Sequence, residues 1–149
     1  MERIEECISF LLGKAYQQVQ QAAKQQLAPH GVTPVQYALL RVLAERDGQT
    51  GVELGERLQL DSATITGLLD RLERAALVER RADHHDRRVN RIFATAQARD
   101  LQPALDRTMD EVNASFLAAF APQEAARFRG HLATLGKVSA VRSPAISGE

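Results

Sequence analysis

Between Gly51 and Thr95 the apolar residues change their period, and that change constrains the fold more than any other feature of the chain. Val52, Leu54 and Leu58 recur at helical spacing, a short link passes through Leu60, and Ile65, Leu68, Leu69 and Leu72 resume a helical stripe over Ser62 to Ala76. Asp61 or Ser62 supplies the side-chain oxygen that starts this second helix. The pattern then becomes β-prone. Leu77 to Arg81 and Val89 to Thr95 are short strand-like runs, joined by the polar, Asp-bearing segment Ala82 to Arg88. Helix, tight turn, helix and hairpin in that order predict a winged helix-turn-helix module.

The second helix turns Ser62, Ala63, Thr64, Thr66 and Arg71 away from its buried stripe. Short hydroxyls, a methyl group and an arginine are what a helix needs to approach base edges and phosphates in a major groove. From Arg80 to Arg91 there are five arginines against Asp83 and Asp86, a net of three positive charges with His84 and His85 neutral. A charge run in isolation is usually a solvated face. Placed directly after a helix-turn-helix it reads as a wing, with Arg87 and Arg88 near the tip suited to a narrow, negative minor groove.

The chain resembles the MarR family of dimeric transcriptional regulators from about Ile4 to Val141. Three motifs carry the likeness: Val32-Thr33-Pro34-Val35-Gln36-Tyr37-Ala38-Leu39-Leu40; Leu60-Asp61-Ser62-Ala63-Thr64-Ile65-Thr66 with Leu69-Asp70-Arg71-Leu72-Glu73; and Asp86-Arg87-Arg88 before Ala94-Thr95. The resemblance implies that Arg88 enters the minor groove and that Arg71 lies near the DNA backbone and steadies the wing. Gly67 departs from the pattern, standing where some relatives carry a basic or larger residue. The short run Phe10-Leu11-Leu12-Gly13-Lys14-Ala15-Tyr16 is similar to regulators of aromatic-acid catabolism.

The fold class expected is mainly α with a small β-wing: a winged helix-turn-helix domain plus N- and C-terminal dimerisation helices, in one unit over residues 1–149. Residues 33–95 form the DNA-binding module, residues 1–30 and 96–141 the helical dimerisation region, and residues 142–149 a disordered tail. The flanks supply the reason for a dimer. Ile8, Leu11, Leu12, Ala15, Val19 and Ala22 make a stripe on a helix that runs from Ile4 to near Pro29-His30-Gly31. Leu101, Leu105, Met109, Val112, Phe116 and Phe120 do the same over Ala96 to Phe120, with Pro103 as a bend or late first turn. After Pro122 a last helix carries Ala125, Phe128, Leu132, Leu135 and Val138. A second copy would bury these stripes and set two reading helices about one DNA turn apart, matching double-stranded DNA with a palindromic operator.

Composition narrows the setting. In 149 residues with 44% hydrophobic content and zero net charge, the positive charge must be concentrated locally, with Glu2, Glu5, Glu6, Asp106, Asp110, Glu111 and Glu124 kept away from DNA. The absence of a long apolar run argues against a membrane partner, and the lone Cys7 fits a cytoplasmic protein without an internal disulfide. No nucleophile elbow, phosphate loop or paired-Cys motif appears, so no enzyme, catalytic residue or cofactor is expected. Asp83-His84-His85-Asp86 are consecutive on a turn and splay apart, so no metal is expected there either.

The effector expected is an anionic aromatic acid or its coenzyme A thioester. Phe10, Lys14, Tyr16, His30, Tyr37 and Arg41 would hold it, with Leu11, Val19 and Leu40 as further walls. Cys7 offers an alternative, an organic-peroxide sensor, against which stand its neighbours Glu5 and Glu6 and the plain structural role of a buried Cys. A helical protein-protein interaction module is the alternative of a different class.

Overall fold

The computed structural model describes residues 3–137 in two compact units, one ending at Asn113 and the other beginning at Ala114. The expectations for Glu2, for Val138 and the end of the dimerisation region, and for the tail 142–149 lie outside the described residues.

The first unit opens with a 3-10 turn, Ile4–Glu6, before α1 (Ile8–Leu27), and a second 3-10 turn, Ala28–His30, ends at Gly31 in the left-handed region with φ 71°. The N-terminal helix is therefore interrupted at Cys7 and does not run unbroken from Ile4. α2 (Pro34–Glu45) starts from a reciprocal cap: Thr33 accepts from the Gln36 amide, the Gln36 side chain takes the Thr33 amide at 2.8 Å, and Pro34 occupies a position that needs no donor. Thr50 and Glu53 repeat this cap at α3 (Gly51–Leu58). α4 (Ser62–Arg74) is capped by Asp61, whose Oδ1 accepts from the Thr64 amide at 2.8 Å.

The sheet has three strands, not the two expected: β1 (Gln49–Thr50), β2 (Val78–Ala82) and β3 (Asn90–Ala94), antiparallel in the order β1-β3-β2. Gln49 pairs with Ile92 and Val78 with Ala94. Two residues are too short to show a period. Gly48 makes the approach possible, since it sits at φ 72° and a Cβ there would come within 3.0 Å of the Phe93 ring. The core gathers Leu27, Leu39, Leu40, Leu43, Leu54, Leu68, Leu72, Ile92 and Leu105, all essentially without solvent contact. Leu40 is thus a core residue, and it also lines a cavity of about 420 Å³.

α4 stops at Arg74, short of the expected Ala76, because Ala76 turns into the left-handed region at φ 56° and its carbonyl takes the Thr95 hydroxyl at 2.7 Å. That conformation costs a Cβ-bearing residue about 1–2 kcal/mol, against which glycine loses about 0.5–1 kcal/mol of chain entropy. Ala76→Gly is accordingly expected to raise stability by roughly 0.5–1 kcal/mol, read as a higher midpoint in urea.

α5 (Ala96–Leu117) ends three residues before the expected Phe120, and Pro103 lies inside it beyond the first turn, leaving the Arg99 carbonyl without its usual helical donor. In the second unit, α6 (Pro122–Leu135) buries no side chain, and Phe120 stacks on Phe128 with centroids 5.2 Å apart. No helix among the described residues is long and apolar enough to cross a membrane.

Candidate nucleic-acid interface

The amphipathic stripe of α4 decides which residues can meet a partner. Ile65, Leu68, Leu69 and Leu72 are buried, so Ser62, Ala63, Thr64, Thr66 and Arg71 are all left exposed, as expected. Two hydroxyls are already donors within the helix: Thr64 Oγ1 gives its proton to Asp61 Oδ2 at 2.9 Å and Thr66 Oγ1 to the Ser62 carbonyl at 2.9 Å. Their lone pairs remain available to a partner's donors. Ser62 and Thr66 also line a cleft of about 860 Å³ to which Val52, Gly55 and Glu56 of α3 and Val89 and Asn90 of the wing contribute as well.

The wing is held by a brace that the sequence reading missed. Arg80 on β2 bonds Asp70 at 2.6 Å and also Glu73, both on α4. Arg71, to which the resemblance gave the steadying role, makes no side-chain hydrogen bond or ion pair to the wing among the described residues. Asp70 and Glu73, three apart on one helical face, were the available signal for such a partner. At the wing tip Asp83 accepts from the Arg91 guanidinium and from the His85 and Asp86 amides at 2.8 and 3.2 Å, which holds its carboxyl far below the ordinary range, Arg91 being the largest cause. Asp83 is therefore part of the turn itself.

These contacts revise the charge count. Arg80 and Arg91 are tied to acids, and Arg81 pairs with Glu79 and lies over the Phe93 ring at 4.4 Å. Arg87 and Arg88 remain exposed at the tip. Arg88 Nε lies 3.2 Å from Asp86 Oδ1, yet its side chain is 92% exposed.

The residues expected to hold an effector fall into two groups. His30, Tyr37 and Arg41 converge on α5: His30 Nε2 is 3.1 Å from Thr108 Oγ1, the Tyr37 hydroxyl donates to Asp106 Oδ1 at 3.1 Å, and Arg41 Nη1 is 3.6 Å from Asp106 Oδ2. Burial, then the Asp106 carboxylate, pushes the Tyr37 hydroxyl up to about 12. Phe10, Lys14 and Tyr16 are exposed on α1. A cavity of about 420 Å³ between α2 and α5 is lined by Leu43, Ala44, Arg99, Gln102 and Asp106 among others, and by none of these six.

Cys7 is neither buried nor governed by Glu5 and Glu6. It stands at the N-cap position of α1, and the Ser9 hydroxyl, 3.3 Å away, followed by the Phe10 and Ser9 amides, holds its thiol below the ordinary value.

A helix whose outward face is free of core contacts, joined across a tight turn to a supporting helix and braced to a wing with two arginines at its tip, defines a winged helix-turn-helix module. Residues 32–89 match the model of the MarR family. The transcriptional regulator HosA of Escherichia coli O157:H7 is 31% identical over 119 residues, covering 76% of this chain and 88% of that protein. The chain belongs to the MarR family of transcriptional regulators, which are DNA-binding proteins and not enzymes. The HTH-type transcriptional regulator TtmR of Methylorubrum extorquens is 42% identical over 94 residues, 63% of this chain but only 45% of that protein's length. The chain likewise spans 54% of the regulator MhqR of Bacillus subtilis, about half. The crystal structure of CouR from Rhodococcus jostii RHA1 bound to p-coumaroyl-CoA superposes with a TM-score of 0.82 at 26% identity, covering 95% of this chain and all of that one.

Proposed function

We propose that the chain acts in the cytoplasm as a homodimeric repressor that binds a palindromic operator and leaves it when an anionic aromatic acid, or its coenzyme A thioester, binds. The observation that carries the DNA-binding part is the cleft that Ser62 and Thr66 of α4 share with Val89 and Asn90 of the wing, with Ala63, Thr64 and Arg71 exposed on the helix and Arg87 and Arg88 exposed at the tip. The dimer is supported by α1 and α6, each of which leaves an apolar face uncovered in the single chain. Residues 33–95 would then be the DNA-binding module, and residues 1–30 and 96–141 the dimerisation region.

The effector part draws support from CouR and from the Arg41–Asp106 pair. An effector carboxylate or phosphate reaching Arg41 must displace Asp106, and in doing so it loosens the link that Tyr37 and Arg41 make between α2 and α5. His30 lies on the same side, while Phe10, Lys14 and Tyr16 on α1 complete the site once a second copy is in place. A ligand favouring the free dimer by about 1–3 kcal/mol lowers DNA affinity about 5- to 150-fold, and DNA lowers ligand affinity by the same factor.

The partly exposed Cys7 beside the Ser9 hydroxyl at the start of α1 favours a second reading, release by an organic peroxide through an accessible thiolate. One experiment separates the two. Electrophoretic shifts on the DNA beside the protein's own coding region, with calorimetry on the free protein, are run with phenolic acids, with their coenzyme A thioesters, and with an organic peroxide on wild type and Cys7→Ser. Release by an acid or thioester, unchanged in Cys7→Ser, is expected. Release by peroxide alone, abolished in Cys7→Ser, replaces the effector reading with the second one. Absence of any shift removes the repressor reading in favour of a protein-interaction module.

A further inference from the structure

Gly67 lies in the middle of α4, where nothing among the described residues requires a glycine. With Ile65, Leu68, Leu69 and Leu72 buried, the face turned farthest from the core runs through Ala63, Gly67, Asp70 and Arg74. The backbone at Gly67 is ordinary right-handed helix, and a methyl group placed there would meet only the Arg71 guanidinium, with Nη1 3.8 Å away. Glycine at such a position weakens a helix relative to alanine. Neither packing nor backbone conformation accounts for it. What the missing side chain leaves is room. Helical side chains lean toward the N-terminus, so Arg71, one turn further on, covers the spot above Gly67.

Arg71 is also the arginine of α4 with its donors uncommitted. Its side chain is exposed and makes no hydrogen bond or ion pair among the described residues, whereas Arg74 Nε donates to the Asp70 carbonyl at 3.2 Å. Asp70, next along the outward face, carries a charge that would repel DNA, and Arg80 offsets it from the wing side. The outward face of α4 between its first turn and Asp70 thus presents two small residues, Ala63 and Gly67, with the Arg71 guanidinium beside the second.

Resting on the reading of α4 as the helix that enters the major groove, we propose that Gly67 lets Arg71 lie back along the outward face and makes Arg71 the base-reading arginine of this helix. Two of its N–H donors pair with O6 and N7 of a guanine, in place of a contact to the phosphate backbone.

Duplexes that the wild-type protein selects from a library with a randomised core supply the probe, and each base pair of the selected half-site is then changed in turn. One G·C pair is expected whose replacement costs the wild type about 5- to 150-fold in affinity and costs Arg71→Ala nothing further. Gly67→Ala keeps this discrimination, because a methyl at 3.8 Å from Nη1 is in ordinary contact. Gly67→Leu loses it at the same base pair, and adding Arg71→Ala to Gly67→Leu loses no more. Both residues introduced at Gly67 favour helix over glycine, so thermal melts no lower than wild type exclude loss of the fold. If Arg71→Ala weakens all duplexes alike and makes the salt dependence shallower, Arg71 is a phosphate contact and the proposal is overturned while DNA binding stands. If the wild type selects no duplex at all, the DNA-binding reading fails with it.

Discussion

Arg88→Ala is expected to weaken operator binding about 30-fold or more at moderate salt, with the salt dependence of log K shallower by about 2 for the dimer. The estimate follows from one arginine contact per half-site at about 1–3 kcal/mol each, doubled by symmetry, and from about one counterion released per contact. The competing effect is the ion pair that Arg88 makes with Asp86 in the free chain, which DNA must replace. With the side chain 92% exposed and Nε 3.2 Å from the carboxylate, such a pair is worth at most about 1 kcal/mol, so the contact with DNA wins. The turn itself should survive the substitution, because the Arg88 backbone amide still donates to Asp86 Oδ1 at 3.0 Å. A filter-binding titration at several salt concentrations, with unchanged affinity and slope, would remove Arg88 from the interface.

The wing also shows where a sequence stops being informative. Five arginines between Arg80 and Arg91 were legible as a basic hairpin, and its place after the helix-turn-helix pointed to DNA. What the run cannot reveal is which charges are spent inside the protein. Arg80 closes on Asp70 and Glu73, Arg91 on Asp83, and Arg81 on Glu79, and the first two pairings join positions seven to ten residues apart. Local periodicity has no term for them. The two arginines left at the tip are those that the Asp86-Arg87-Arg88 motif singled out.

Helical periods were read well where the buried stripe was long and regular, as over Ile65 to Leu72, and poorly at element ends. Ala76 and Cys7 mark the two kinds of failure. At Ala76 a left-handed turn ends α4 without glycine to announce it, and at Cys7 a break in the N-terminal helix puts a thiol where helix amides can reach it. β1 escaped for a different reason, since two residues carry no alternation and owe their place to Gly48 and to pairing with β3. Among the effector candidates, the apolar and cationic character of Tyr37 and Arg41 was legible. Their commitment to Asp106, distant in sequence, was not.

Replacing Ile8 and Leu12 together with glutamate is expected to leave a folded monomer that binds the operator about 100- to 10,000-fold more weakly than wild type. In the single chain these side chains are 61% and 40% exposed and stand outside the buried core, so the charges cost the fold of one copy little. In a dimer they would together remove about 1.5–3 kcal/mol of apolar burial per copy, because only their exposed parts remain to be covered, counted twice by symmetry, and would place carboxylates against the partner's apolar face. The loss in DNA affinity follows because two half-sites joined through the dimer bind as one event, and separate reading helices forfeit that effective concentration. Sedimentation of the full chain, far-ultraviolet circular dichroism and an operator titration test this together. A variant that still sediments as a dimer and binds as tightly as wild type would show that the exposed stripe of α1 is not where two copies meet.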